Sequence, residues 1–187
     1  MNDEQRRAAA HHRQELYKCH KNATYFIDSY CQIYDASAGA WLPFRLWPAQ
    51  MDALEHIVAQ RLCVILKARQ LGLTWLSLGF VLWLMLFRPA ATILLFSRRD
   101  EEAVDLLRNR LRGLYDRLPE WLKVRAFPVN NEHEWEFSNG SRALALPTSA
   151  GDSYSATLAV VDEADLVPDL DRLLRAVKPT IDAGGRM

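Results

Sequence analysis

Charge imbalance is absent from this 187-residue sequence: lysine plus arginine and aspartate plus glutamate each number 23. With no net field there is no bulk attraction to nucleic acid, so any such contact has to be local. Cysteine is scarce as well. Cys19, Cys31 and Cys63 show neither the paired spacing of a metal site nor an even disulfide framework, and Cys63 lies in an apolar run that predicts a buried thiol. This usage points to a reducing, intracellular setting. The leading MNDEQRRAAAHHRQELYKCH has no apolar core behind its charges and does not read as a secretory signal. No apolar run reaches the roughly 20 residues of a membrane span. WLSLGFVLWLMLF, Trp75 to Phe87, predicts instead a helix buried at the centre of an α/β protein. Adjacent His11 and His12 point to different faces of a charged helix and predict a solvated pair rather than a metal site.

What is present is a chain that is 50% hydrophobic, enough for one good-sized domain with a real core. Residues 3–30 predict one or two short helices, and 35–43, DASAGAWLP, a loop. Helical spacing of Leu54, Ile57, Val58 and Arg61 follows Pro48, which suits a first turn. LCVIL, ATILLFS and TLAVVD are strand-length apolar runs, alternating with the helix at 75–87 and one face of Ala103, Val104, Leu107, Leu111, Leu114 and Leu118. His133 to Pro147 alternates about Asn139-Gly140 and predicts a two-residue hairpin turn. Pro168 to Lys178 predicts a last helix.

The stretch LCVILKARQLGLT, Leu62 to Thr74, carries the chemistry. Against the phosphate-binding pattern G-x-x-x-x-G-K-[ST] it keeps Gly72 and Thr74, but has Leu73 where the lysine belongs and Lys67 where the first glycine belongs. A phosphate loop closes on itself, so its ends meet, and its backbone N–H groups and the next helix N-terminus bind the anion. An ammonium starting at Lys67 then reaches the β/γ oxygens from the other rim, with Arg69 adding a second charge. Leu73 adds none. An ordinary strand-to-helix turn remains an open reading of this stretch alone. Gln50, 17 residues upstream, offers the donor and acceptor that an adenine edge requires; a surface glutamine in a first helical turn is the alternative.

TLAVVD runs into Glu163-Ala164-Asp165, placing carboxylates at the C-terminal end of an apolar strand, where open α/β sheets bind ligands. Together the two stretches form the halves of an ATP-hydrolysing site. In that reading Thr74 and Asp162 hold Mg²⁺, Glu163 orients and deprotonates water, and Lys67 and Arg69 stabilise charge on the transferring phosphoryl group.

PFRLWPAQ, KARQLGLTW, ILLFSRRDEEA, NGSRALALP and LAVVDEAD, in that order across Pro43 to Asp182, resemble the large terminase subunits that power DNA packaging in tailed phages. That family tolerates a front-of-loop lysine. The resemblance implies a P-loop NTPase of the RecA-like type: a mostly parallel α/β sheet flanked by helices, with an inserted β-hairpin. It implies a helical lead-in over 1–40, an ATPase domain over 41–187, and a coupling motif and nuclease domain beyond Met187. Nucleotide contacts are implied for Gln50, Lys67, Ala68, Arg69, Gln70, Leu71, Gly72, Leu73 and Thr74. Implied partners are double-stranded DNA, a portal protein, a small terminase subunit and further copies in a ring, with no membrane, in the cytoplasm of a bacterial host. The loop SAGDSYSA lacks the arginine that many members carry there, which leaves Arg142 as the candidate for sensing the γ-phosphate. VDEAD with Gln50 also fits a superfamily 2 helicase-like translocase, and a degenerate non-catalytic partner-binding module is a third reading. Arg98, Arg99, Lys123 and Arg125 are the basic residues nearest plausible DNA-facing loops, although interspersed acids favour a solvated face.

Overall fold

The apolar strand runs build a four-stranded mixed sheet. In the computed structural model, which describes residues 3–68, 70–124, 126–148 and 154–187, β3 (Thr92–Phe96) lies between two parallel neighbours, β5 (Arg142–Leu146) and β6 (Leu158–Val161). β4 (Glu134–Glu136) pairs antiparallel with the outer edge of β5. Alternate residues divide between two cores. Ile93, Leu95, Ala143, Ala145 and Leu158 pack with α4 (Leu73–Phe87), whereas Leu94, Phe96, Leu144, Leu146 and Ala159 pack with Leu173 and Val177 of α7 (Leu170–Asp182). Helices on both faces explain why these strands are apolar without interruption.

α4 is hydrophobic all round because it is enclosed, with nine residues buried from Leu76 to Met85. Among the described residues no helix is long and apolar enough to cross a membrane. The N-terminal helices sit against it: α2 (Ala23–Tyr30) brings Ile27 so close to Gly79 that an added Cβ there would lie 3.1 Å from Ile27 Cγ1. α1 (Asp3–Lys21) has 19 residues, longer than the short helices expected. His12 stacks on Trp121 at 5.1 Å.

Four local expectations need correction. Within 35–43, Ala40–Pro43 is not loop but β2, paired antiparallel with β1 (Gln32–Asp35). Its turn is closed by the Asp35 carboxylate, which accepts from the Ser37 and Ala38 amides at 2.7 and 2.9 Å, a signal that small residues obscure. The 133–147 hairpin belongs to the main sheet, and its turn is a residue longer than two: Phe137 N–H donates to Ser141 O, with Gly140 left-handed at φ +80°. The helix from Asp100 to Asp116 contains a π-helical segment at Leu106–Leu111 between α5 (Asp100–Asp105) and α6 (Arg112–Asp116).

The fourth correction concerns LCVIL. After α3 (Pro48–Ala59), residues 62–66 form no strand of the sheet; Val64 is 89% and Leu66 101% exposed, and Cys63 is half-exposed rather than buried. An apolar run becomes a sheet strand only when a neighbour takes its backbone groups. Here that happens only at its start, where Cys63 N–H donates to Met187 O and Met187 N–H to Arg61 O, both 2.8 Å.

Glu15 is a buried charge on α1, 5% exposed. Hydrogen bonds from Lys18 (2.7 Å), then Tyr25 and Tyr30 (2.5 Å each), hold its carboxyl down from 4.5 to about 2. A carboxyl lowered on folding adds stability above its ordinary range and loses it as pH falls through the lowered value. Glu15→Gln is therefore expected to lower the melting temperature near neutral pH, with the gap to the parent closing as pH drops from 4.5 towards about 2. Thermal melts across that window check it.

Candidate functional site

Pro48 opens α3 and places Gln50 in its first turn, where the side chain is buried. Its Oε1 accepts from Trp47 N–H at 3.0 Å, and its Nε2 donates to Leu71 O at 2.9 Å. The expected adenine-reading amide is thus engaged inside the protein, bracing the loop that follows Lys67. That loop turns on two left-handed residues, Gln70 (φ +63°) and Gly72 (φ +69°). Glycine at 72 serves two ends, since a Cβ there would sit 2.9 Å from Gln50 Nε2 as well as carrying the backbone strain.

Helix α4 starts immediately after this turn. Leu73 packs against the main core, and Thr74, half-buried in the first turn, donates from Oγ1 to the Asp162 carboxylate, with 3.1 and 3.2 Å to its two oxygens. Asp162 is fixed in turn by its N–H, which donates to Phe96 O of the central strand at 2.9 Å. Glu163, next in sequence, is exposed and left-handed at φ +50°, ψ +46°. A non-glycine residue there is uncommon and costs about 1 kcal/mol or more.

Lys67, Thr74, Asp162 and Glu163 all line one cavity of about 950 Å³. Ala68 and Gln70 lie on the exposed loop between Lys67 and Gly72. Arg69 falls outside the described residues, as do Arg125 and residues 149–153 of the loop before β6. The oxygens of Thr74 and Asp162 are spaced to fit Mg²⁺: ligands at 2.0–2.1 Å on adjacent octahedral positions stand about 2.9 Å apart. Among the described residues no group of three or more His, Cys, Asp or Glu could hold a metal.

Parallel register decides which basic residues share this end of the sheet. Arg142 pairs with Thr92 at the start of β3 and reaches Glu134 at 3.4 Å, so it lies at the end away from Asp162 and is set aside as the γ-phosphate sensor. Arg98 follows β3 at the same end as Asp162; its Nη2 donates to Glu102 at 2.9 Å, and its Nε is buried with no partner among the described residues. In sequence Arg98 stood only among the basic residues of a solvated face near candidate DNA-facing loops. Its place two residues after an apolar strand was the available signal. Lys123, also named for DNA, is tied to Glu120 at 2.6 Å and Asp116 O at 3.0 Å.

No protein-family model matches the chain. Its fold is that of phage terminase ATPase domains. It is similar to the crystal structure of the HK97 bacteriophage large terminase, with a TM-score of 0.68 at 18% identity, over 89% of this chain and 36% of that one. It is also similar to the Thermus phage P74-26 large terminase ATPase domain, with a TM-score of 0.63 at 15% identity, over 76% of this chain and 63% of that one. The chain therefore spans about a third of the first protein's length and under two thirds of the second's.

Gly72→Ala is expected to destabilise the fold by about 1–2 kcal/mol, from left-handed strain plus displacement of the Gln50 amide. Urea unfolding of the two proteins checks the difference. Gln50→Ala, which vacates the contact, should make the alanine at 72 less costly, and a double-mutant cycle reads that coupling.

Proposed function

We propose that this chain is the ATPase portion of a phage terminase large subunit, a RecA-like P-loop NTPase whose hydrolysis of Mg-ATP drives double-stranded DNA into a procapsid. One observation carries the reading: Thr74 and Asp162, 88 residues apart, are hydrogen-bonded and share the lining of a single cavity with Lys67 and Glu163. Lys67 reaches the β/γ oxygens from the leading edge of the loop, with Arg69 as the second charge, and the backbone N–H groups of the loop supply the remaining phosphate contacts. Thr74 and Asp162 would hold Mg²⁺, which would supply positive charge against the phosphate oxygens. Glu163, exposed at the rim, accepts a proton from the attacking water. Gln50 acts through its hold on Leu71, setting the loop rather than reading a base.

In this reading the two helices Asp3–Lys21 and Ala23–Tyr30 are the lead-in, packed into the core of the ATPase domain that follows from residue 41. The partners that follow from this reading are DNA, a portal protein, a small terminase subunit and further copies of the chain in a ring, in the cytoplasm of a bacterial host. The likeness in fold to two phage terminases supports it over a helicase-like translocase or a non-catalytic module.

Binding of a fluorescent ATP analogue with Mg²⁺ tests the reading. Lys67→Ala is expected to weaken binding by about 30- to 150-fold, the loss of a charge-assisted contact worth about 2–3 kcal/mol, while Leu73→Ala changes it by less than about threefold. A larger loss from Leu73→Ala would overturn the assignment of Lys67. In the same protein Glu163→Gln should leave analogue affinity within about twofold and reduce the slow steady-state turnover by about 10²-fold or more, read by phosphate release.

A further inference from the structure

The segment that leads into α3 is clamped to the loop after Lys67 at two points. Phe44, buried, lies under the turn, where a Cβ on Gly72 would stand 3.8 Å from its ring. Three residues on, Trp47 precedes Pro48, which favours its extended backbone at φ −77°, ψ +157°. Its N–H donates to Gln50 Oε1 at 3.0 Å, and its carbonyl accepts from the Gln50 and Met51 amides at 2.9 and 3.0 Å. The Gln50 amide reaches from there to Leu71 O, so the backbones of Trp47 and Leu71 stand one amide group apart. The backbone at Trp47 is thus pinned at both its polar groups, yet its indole is 59% exposed. A large apolar ring mounted rigidly beside a phosphate loop, and left in solvent, is a surface prepared for a flat partner.

Reading adenine asks more of a side chain than stacking does. An amide must present its oxygen to the N6 amino group and its N–H to N7, side by side and in one plane. Gln50 has both ends turned onto backbone groups, Oε1 towards Trp47 and Nε2 towards Leu71, and its side chain is 6% exposed. Swinging it out to a base gives up two hydrogen bonds to gain two, and releases the loop that has to hold the phosphates. Gln70, the amide within the loop, is exposed on a left-handed residue, without the packing that fixes an amide plane. An aromatic face makes no such demand. Every base has a π-face, so stacking holds a base without choosing it.

We infer that the site takes purine nucleoside triphosphates as a class, with the base stacked on the Trp47 indole and its edge unread. Selection then falls on the triphosphate and its Mg²⁺, through Lys67, Thr74 and Asp162. The inference rests on the nucleotide-binding reading and adds a substrate class to it. ATP and GTP separate the two modes of recognition, because both bases stack but their edges differ: adenine sets an amino donor beside N7, and guanine an oxygen acceptor. A glutamine reading the edge would prefer ATP by about 5- to 150-fold, the discrimination of one good bidentate pair. A stacking platform separates them by less than about threefold.

Displacement of a ribose-labelled fluorescent ATP analogue by Mg-ATP, Mg-GTP and Mg-tripolyphosphate tests this on the whole chain. ATP and GTP are expected to displace the label within about threefold of one another. Trp47→Ala should weaken both by about 5- to 150-fold, the worth of one base–aromatic stack, and leave tripolyphosphate within about twofold. Trp47→Phe, which keeps an aromatic face, should recover most of that loss. Gln50→Ala should weaken all three ligands together, since the loop loses its clasp, with the ratio of ATP to GTP unchanged. The tripolyphosphate arm reports whether the loop itself is intact in each variant. A preference for ATP over GTP of about fivefold or more, or a Gln50→Ala loss confined to ATP, overturns the inference and keeps the ATPase. Nucleotide affinity that Trp47→Ala does not move, or that falls in step with tripolyphosphate, overturns it as well. If none of the three ligands displaces or binds in the unsubstituted chain, the inference and the ATPase reading fall together.

Discussion

A hydrogen bond from Thr74 to Asp162 joins the start of one buried helix to the end of one buried strand, and the rest of the site is arranged around it. Each partner is held from behind. Thr74 owes its position to the left-handed turn at Gly72 and to Gln50, which clasps the loop at Leu71. Asp162 owes its position to the rung it makes with Phe96. The carboxylate also faces the N-terminal end of a 15-residue helix, where unsatisfied N–H groups favour negative charge. Two segments far apart in sequence thereby converge on a cavity whose lining also includes the Lys67 ammonium and a second carboxylate, Glu163.

Much of this was legible in the sequence, for a reason that also explains the failures. Strands covered by helices on both faces are apolar throughout, so ATILLFS and TLAVVD announced themselves, and WLSLGFVLWLMLF could only be an enclosed helix. Apolarity reports a demand for burial but not the neighbour that meets it. LCVIL made the same demand, and the structure leaves it unmet. Pairing register is equally silent in one dimension: Arg142 and Arg98 both flank apolar strands, and only the alignment of β5 on β3 separates the wrong end of the sheet from the right one. Gln50 was found by its spacing from the loop, but its two internal hydrogen bonds could not be. The pairing of β2 with β1 was missed, because an aspartate closing onto the amides two and three residues on looks, in sequence, like any acidic residue among small ones.

The N-terminal helices are part of the same folding unit. Cys19, Phe26 and Ile27 share a core with Leu76, Phe80 and Leu95, and Trp83 Nε1 donates to Cys19 O at 2.7 Å. The close seat of α2 on α4 depends on Gly79. On the opposite flank, Gly113 leaves space for the Trp41 ring, which would lie 2.3 Å from any Cβ there and which the Arg117 guanidinium covers at 3.5 Å.

The left-handed backbone at Glu163 sets thermal robustness against chemistry at one position. Glycine would relax that turn by about 1 kcal/mol, a gain that selection for heat resistance alone would collect. Under the proposed role, the same replacement deletes the group that takes the proton from water. A lineage evolving for endurance would thus drift towards a sturdier, slower protein, while one evolving for turnover would keep a glutamate in a conformation that side chains rarely adopt.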